Sequence, residues 1–321
     1  MVAKCCALFL LALCLAVPGA ASAQSYPGRA IKLVVGFPPG GGNDIQARLI
    51  AQKLSKEWGQ SVFVENKPGA NAIIATDYVA KSPPDGYTLY VGASGAMSFN
   101  PGLYKNLPYD PLKDFVPVVQ IASFPLVIAM HPTGRPMNLA QFIQLAKAKP
   151  GKLSYAAGST PFQVITELFK IQAGIDIKPI PYSGSSKSII ATIAGETDLV
   201  TVDLPPALAQ LRAGKLQGLA VTGLKRSAMA PDLPTVAESG LPNFEAVLWT
   251  GIFAPAGTAK EVVDKLHDAV ARILLTDDFK TRLAELGYEP GNLSQAEFAA
   301  LLKADIAKWT KVEREGDIHI D

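Results

Sequence analysis

Short β-branched or apolar runs alternate along the chain with longer stretches whose apolar residues recur at helical spacing. Ile31-Lys32-Leu33-Val34-Val35 reads as a strand, ended by the glycines and prolines of Gly36-Phe37-Pro38-Pro39-Gly40-Gly41-Gly42. A helix follows with Ile45, Leu49, Ile50, Leu54 and Trp58 on one face, and Asn43 or Asp44 is its expected N-cap. Val62-Phe63-Val64 is the next strand, a helix starts near Ala72, and Tyr87 to Val91 is a third strand. This β-α-β-α-β order predicts a parallel sheet with helices on its faces.

The apolar segment from Phe115 to Met130, interrupted by Pro117, Ser123 and Pro125, is too long for one ordinary strand. A strand that leaves one sheet and enters another has this pattern. The alternation then repeats. Leu153-Ser154-Tyr155, Lys178-Pro179-Ile180-Pro181 and Asp198 to Val202 are strands, followed by helices from about Pro161, from about Ser186 and over Pro206 to Arg212. Leu216 to Thr222 is a second crossover candidate, after which the chain is expected to return to the first domain. Phe244 to Phe253 is strand-like, and Thr258 with Glu261 and Ser294 with Glu297 read as capping boxes of two packing helices. The expected architecture is α/β, with domain 1 built from 24–123 and 226–321 and domain 2 from 124–225. Two crossovers would join them across a hinged cleft.

Residues 1–23 stand outside this pattern. Lys4 precedes an apolar run from Ala7 to Val17, shorter than the about 20 residues that span a bilayer. Pro18-Gly19 breaks it, and Ala21-Ser22-Ala23 has the form of a signal-peptidase site. Export with cleavage after Ala23 is the expectation. It would remove Cys5, Cys6 and Cys14, all three cysteines, leaving a chain that relies on its core alone. Leu13 before Cys14 disfavours a lipid anchor.

Composition narrows the function. With 49% hydrophobic and 18% charged residues the chain is ordinary globular protein, which excludes global disorder. A net charge of +2 offers no field for a polyanion, so nucleic acid is not an expected partner. Three histidines and no His/Cys cluster leave little for metal chemistry, and no cofactor is expected.

The candidate chemistry lies in loops that follow strands and open helices. Gly40-Gly41-Gly42-Asn43-Asp44 lets backbone approach a ligand, and the helix start offers free N–H groups. It lacks the Lys-Ser/Thr and the G-x-G-x-x-G spacing of phosphate loops, and a plain tight turn explains it equally. Ser94-Gly95-Ala96, Ala157-Gly158-Ser159-Thr160-Pro161 and Tyr182-Ser183-Gly184-Ser185-Ser186 share its position and are hydroxyl-rich and uncharged. Ordinary N-capping accounts for each singly. Convergence at the strand ends of an open α/β sheet would suit a small carboxylate. Gly92-Ala93-Ser94-Gly95-Ala96 is one glycine short of a nucleophile elbow, so an exported serine hydrolase using Ser94 is a rival reading. His267, three residues after Asp264, reads as a solvated side chain.

Several motifs, in order and spacing, resemble the periplasmic receptors of the tripartite tricarboxylate transporter type, also called Bug receptors. They are Tyr26-Pro27, Phe37 to Gly42 with Asp44, Gly59-Gln60, Val64-Glu65-Asn66-Lys67-Pro68-Gly69-Ala70, Asp85 to Leu89, Leu107-Pro108-Tyr109-Asp110, Pro181-Tyr182 with Gly184, and Pro231-Asp232-Leu233-Pro234-Thr235. The resemblance implies a two-domain periplasmic-binding-protein fold, type II-like. Each domain would be a mainly parallel sheet flanked by helices, closing on a small mono-, di- or aromatic carboxylate and delivering it to a membrane permease. Signalling to a membrane sensor is the alternative, and a monomer is expected. By position, Phe37, Pro38, Gly40, Gly41, Gly42, Asn43 and Asp44 would hold the inner carboxylate, with Ala70 on the adjoining loop. Ser94, Gly95, Ala96, Gly158, Ser159, Thr160, Pro161, Gln163, Tyr182, Ser183, Gly184 and Ser185 would complete the pocket. Asp203 would be an amine contact, a neutral contact or a loop cap. The stretch Gly158 to Val164 departs from the family pattern, and Phe162 within it would give an apolar wall suited to an aromatic or longer aliphatic acid.

Overall fold

The computed structural model describes residues 26–132, 134 and 137–320, so the leader read at residues 1–23 lies outside the described residues. Strand β1 is Ile31–Val35, β2 Val62–Asn66 and β3 Thr88–Ala93, all parallel. Helix α1 (Gly42–Trp58) and α2 (Ile73–Ala80) connect them. Leu33, Val34 and Val35 are fully buried, as a strand covered on both faces must be. A second set repeats the pattern: β5 (Leu153–Ala157), β6 (Ile177–Pro181) and β7 (Leu199–Asp203) are parallel, linked by α5 (Thr160–Ala173) and α6 (Ser185–Ile193).

The 16-residue β4, Phe115–Met130, ties the two sets together. Its first part pairs antiparallel with β9 (Val247–Pro255), out to Pro125↔Val247. From Leu126 it pairs instead with β7 and with β8 (Gln217–Val221). Pro125 has no N–H to commit to a ladder, so the strand changes neighbours there at little cost. The expected handover between sheets is present. The sheet runs β2-β1-β3-β9-β4-β7-β5-β6, with antiparallel members at its centre.

The second crossing strand is not the one read from the sequence. β8 pairs with β4 within the second lobe, and β9 makes the return. Val236, Phe244 and Ala246 pack into the second core before β9 begins, so the chain after Lys225 stays longer with that lobe. One core holds Ile31, Leu33, Ile50, Leu54 and Leu266, and the other holds Val127, Tyr155, Phe169 and Phe244.

Helix α10 (Gln295–Glu315) starts with the expected box: Ser294 and Glu297 cap each other. The Thr258/Glu261 box does not form. Helix α8 (Lys260–Leu274) starts at Ala259 without a side-chain cap, and the Thr258 hydroxyl donates to Pro255 O at 2.8 Å. No helix among the described residues is long and apolar enough to cross a membrane.

Candidate functional site

The first loop is shaped by Asp44, which is 2% exposed. Its carboxylate accepts from Gly40 N and Arg48 Nε, both at 2.9 Å, and from Asn66 Nδ2 at 2.8 Å. Asn66 also donates to Phe37 O at 3.0 Å, tying β2 to the loop. Burial raises the Asp44 pKa, but the Arg48, Gly40 and Asn66 hydrogen bonds outweigh it and hold the carboxyl below its usual range. Asp44 is therefore a brace. The N-cap is Gly41, neither Asn43 nor Asp44, and no side chain caps α1. Gly40 takes φ 84°, a left-handed conformation that glycine adopts without strain.

Replacing Asp44 with alanine leaves Gly40 N and the Asn66 amide without their buried acceptor, at about 1–3 kcal/mol each. The expected outcome in a urea titration is a lower midpoint with an unchanged m-value. A midpoint equal to the parent's would remove Asp44 as the brace.

The neighbouring turn is strained. Ala70, Asn71 and Ala72 take φ of 46°, 50° and 67°, a left-handed run that costs non-glycine residues about 1–2 kcal/mol apiece. Asn100 Nδ2 donates to Asn71 O at 3.1 Å, and Asn71 Nδ2 to the Tyr104 hydroxyl at 2.6 Å. These bonds hold the turn against the π-helical turn Gly95–Phe99 and helix α3 (Asn100–Leu103).

On the second lobe, Gly184 N donates to Gly158 O at 2.7 Å, which draws two loops together. A Cβ on Gly158 would stand 2.4 Å from Ser188 Oγ and 3.1 Å from Gly184 O, so any larger residue must displace them. The Ser159 and Thr160 hydroxyls have no protein partner among the described residues. Ser185 Oγ donates to Asp203 Oδ2 at 2.9 Å. Burial raises the Asp203 carboxyl above its usual range, and Ser185 offsets only part of that. Nearby Tyr288 is pushed up to about 12, chiefly by burial and then by Asp203. Its hydroxyl lies against Gly42, where a Cβ would collide with it.

The lobes face each other across a cavity of about 360 Å³. It is lined by Phe37, Asn71, Gly95, Ala96, Asn100 and Leu103 on one side and Gly158, Ser159, Thr160 and Pro161 on the other. No lining residue carries a formal charge. Of the positions singled out in the sequence, Phe37, Gly95, Ala96 and Gly158 to Pro161 come together here. Asn100, where the candidate loop from Ser94 ends, also reaches the wall, while Asn71 and Leu103 were missed, since only the left-handed turn and the π-helical turn bring them there. Pro38, Gly40, Gly41, Gly42, Asn43, Asp44, Ala70, Ser94, Gln163, Tyr182, Ser183, Gly184, Ser185 and Asp203 lie outside the lining.

Four side chains differ from their expected roles. Phe162 is 7% exposed and packs into the second core, so the apolar wall comes from Phe37, Leu103 and Pro161 instead. The Tyr182 hydroxyl donates to Glu196 Oε2 at 3.1 Å. His267 is half-buried, with Nδ1 2.8 Å from Val118 O, rather than solvated. Ser94 is buried, with its hydroxyl accepting from Trp249 N at 3.3 Å. Ring nitrogens of His131 and His319 meet Thr192 O and Asp317, so no histidine is bonded to Ser94.

Residues 46–317 match the profile of the tripartite tricarboxylate transporter family receptor. Protein BugT of Bordetella pertussis is 34% identical over 297 residues, covering 92% of this chain and 91% of that protein. Rpa4515 of R. palustris, solved with adipate, superposes with a TM-score of 0.77 at 37% identity, covering 92% of this chain and 99% of the other. MatC (Rpa3494) of Rhodopseudomonas palustris, solved with malate bound, gives 0.72 at 33% identity, covering 89% and 99%. A TctC solute-binding protein from Polaromonas, 24% identical, has a TM-score of 0.81, which speaks to the fold alone. With a family profile matched over most of its length and relatives of this identity covered almost end to end, the chain belongs to the tripartite tricarboxylate transporter family of periplasmic solute receptors.

Proposed function

We propose that this protein is exported after cleavage at Ala23, binds a small carboxylate between its lobes and delivers it to a membrane permease of the tripartite tricarboxylate type. It acts as a monomer, by binding and closure, without a chemical step or cofactor. The observation that carries this reading is the chemistry of the cavity. Ser159 and Thr160, with hydroxyls free, line the cavity at the start of α5, whose first turn leaves N–H groups without helical acceptors. Such donors replace a carboxylate's water without a buried cation. Phe37, Leu103 and Pro161 would cover an apolar carbon body, which favours an aliphatic or aromatic acid over a short hydroxy acid. The adipate bound by Rpa4515 is of that kind.

Thermal unfolding with a panel of acids tests it. Adipate-like diacids and aromatic acids at 100 times their dissociation constant should add about 2.7 kcal/mol of stability, with smaller shifts from malate and none from neutral amides. Shifts from the amides equal to those from the acids would sink the carboxylate reading. A preference for malate would sink the apolar-body refinement alone.

A further inference from the structure

The two walls of the cleft differ in their hydrogen-bonding sense. On the first-lobe wall, Asn100 is 2% exposed and lines the cavity. Its Nδ2 donates to Asn71 O and to the Tyr109 hydroxyl, both at 3.1 Å. The Asn71 carbonyl can only accept, which fixes the end of the Asn100 amide that carries nitrogen. Tyr109 gives its own proton to Ala96 O at 2.7 Å. Asn100 Oδ1 is therefore an acceptor, and it has no protein donor among the described residues.

Asn71, also in the lining, commits its Nδ2 to the Tyr104 hydroxyl at 2.6 Å, and its Oδ1 likewise has no protein donor among the described residues. The other lining residues of this wall, Phe37, Gly95, Ala96 and Leu103, have no polar side-chain atom. The facing wall is the reverse. Ser159 and Thr160 bring hydroxyls, and the first turn of α5 leaves N–H groups without helical acceptors. Those donors suit a carboxylate. A carboxylate at Asn100 would meet an oxygen that can only accept, whereas an almost fully buried acceptor beside a cavity is satisfied by a donor from whatever fills it.

Resting on the carboxylate reading above, we propose that the cleft selects an acid that carries a hydroxyl at the far end of its apolar body, the hydroxyl donating to Asn100 Oδ1 with Asn71 as the second acceptor. The carboxylate then lies toward the start of α5, and the two asparagines determine specificity at the other end. A diacid presents there a second carboxylate with no proton to give. An unsubstituted acid leaves Asn100 Oδ1 unpaired.

Calorimetric titration with matched straight-chain acids of about four to eight carbons, with and without a terminal hydroxyl, tests this. A cleft that only covers carbon prefers the unsubstituted acid, because burying an unpartnered hydroxyl costs free energy. The opposite order is expected. At the chain length that binds most tightly, the hydroxy acid should bind at least about tenfold tighter than its unsubstituted match. The terminal methoxy acid keeps the oxygen but lacks the proton, and should bind no better than the unsubstituted acid. Asn100→Leu should reverse the preference for the hydroxyl, with melting curves as the control for folding. The methoxy comparison needs no variant, so it decides the matter even where Asn100→Leu unfolds. Three results would overturn the proposal and leave carboxylate binding intact: a hydroxy acid no tighter than its match, a methoxy acid as tight as the hydroxy acid, or an unchanged preference in folded Asn100→Leu. Failure of every acid to bind would overturn both readings.

Discussion

Replacing Gly95 with leucine is expected to raise the dissociation constant of the cleft's carboxylate at least about 100-fold, a loss near 2.7 kcal/mol. The fold should survive. Gly95 has no left-handed φ, and a Cβ there meets only Pro161 Cγ, at 3.7 Å, an ordinary contact. That contact spans the cleft, from the π-helical turn of one lobe to the first turn of α5 on the other. Atoms beyond Cβ must enter the cavity or hold the lobes apart. Gly95→Ala stops at the Cβ and should bind nearly as the parent does. Calorimetry on the two variants, with melting curves as the control for folding, reads the difference. Parent-like affinity in Gly95→Leu would remove this gap from the ligand site.

A second large effect is expected from Glu313, near the end of α10. It is 1% exposed and neither carboxyl oxygen has a hydrogen-bond partner. Its carboxyl lies against α3, where a Cβ on Gly102 would collide with Oε2. Burial pushes its pKa from 4.5 up to about 8. The unfolded chain releases this proton near the ordinary value, whereas the native protein keeps it until about pH 8. Between those values the native state binds more protons, so stability falls as pH rises, by up to about 1.4 kcal/mol per pH unit. Below the window Glu313 contributes nothing to the slope, and above it the full penalty, a few kcal/mol, is present. Glu313→Gln cannot ionise and should flatten the curve between pH 5 and about pH 8. Chemical denaturation across that range measures it. An identical slope in parent and variant would show that Glu313 is hydrated or paired when ionised.

Both predictions rest on residues whose weight the linear pattern does not show. Gly95 looks like one small residue among several, and Glu313 falls in a helix whose other acids and lysines are mostly solvent-facing. What sets them apart is what comes opposite: Pro161 from 66 positions away for the one, Gly102 for the other. The same holds at Phe162. Its position beside the Gly158 loop suggests a pocket wall, yet helical phase turns it into the core while Pro161 faces the opening. His267 likewise reads as exposed until Val118 on β4 is seen to lie beneath it.

Much was decided locally. β-branched runs closed by Gly-Pro segments placed the strands, because those runs suit a pleated, doubly covered sheet and the punctuation cannot continue it. The alternation with helices set the parallel halves, and the length of Phe115–Met130 announced a strand shared between them. The charge-poor, hydroxyl-bearing loops were visible for the same local reason. The tertiary structure alone decided that β9 rather than β8 makes the return crossing, that Asp44 braces the loop, and that Asn71 and Leu103 reach the cavity. Strand partners, buried hydrogen bonds and opposed surfaces depend on residues distant in sequence, and no periodicity within one segment encodes which distant segment it will meet.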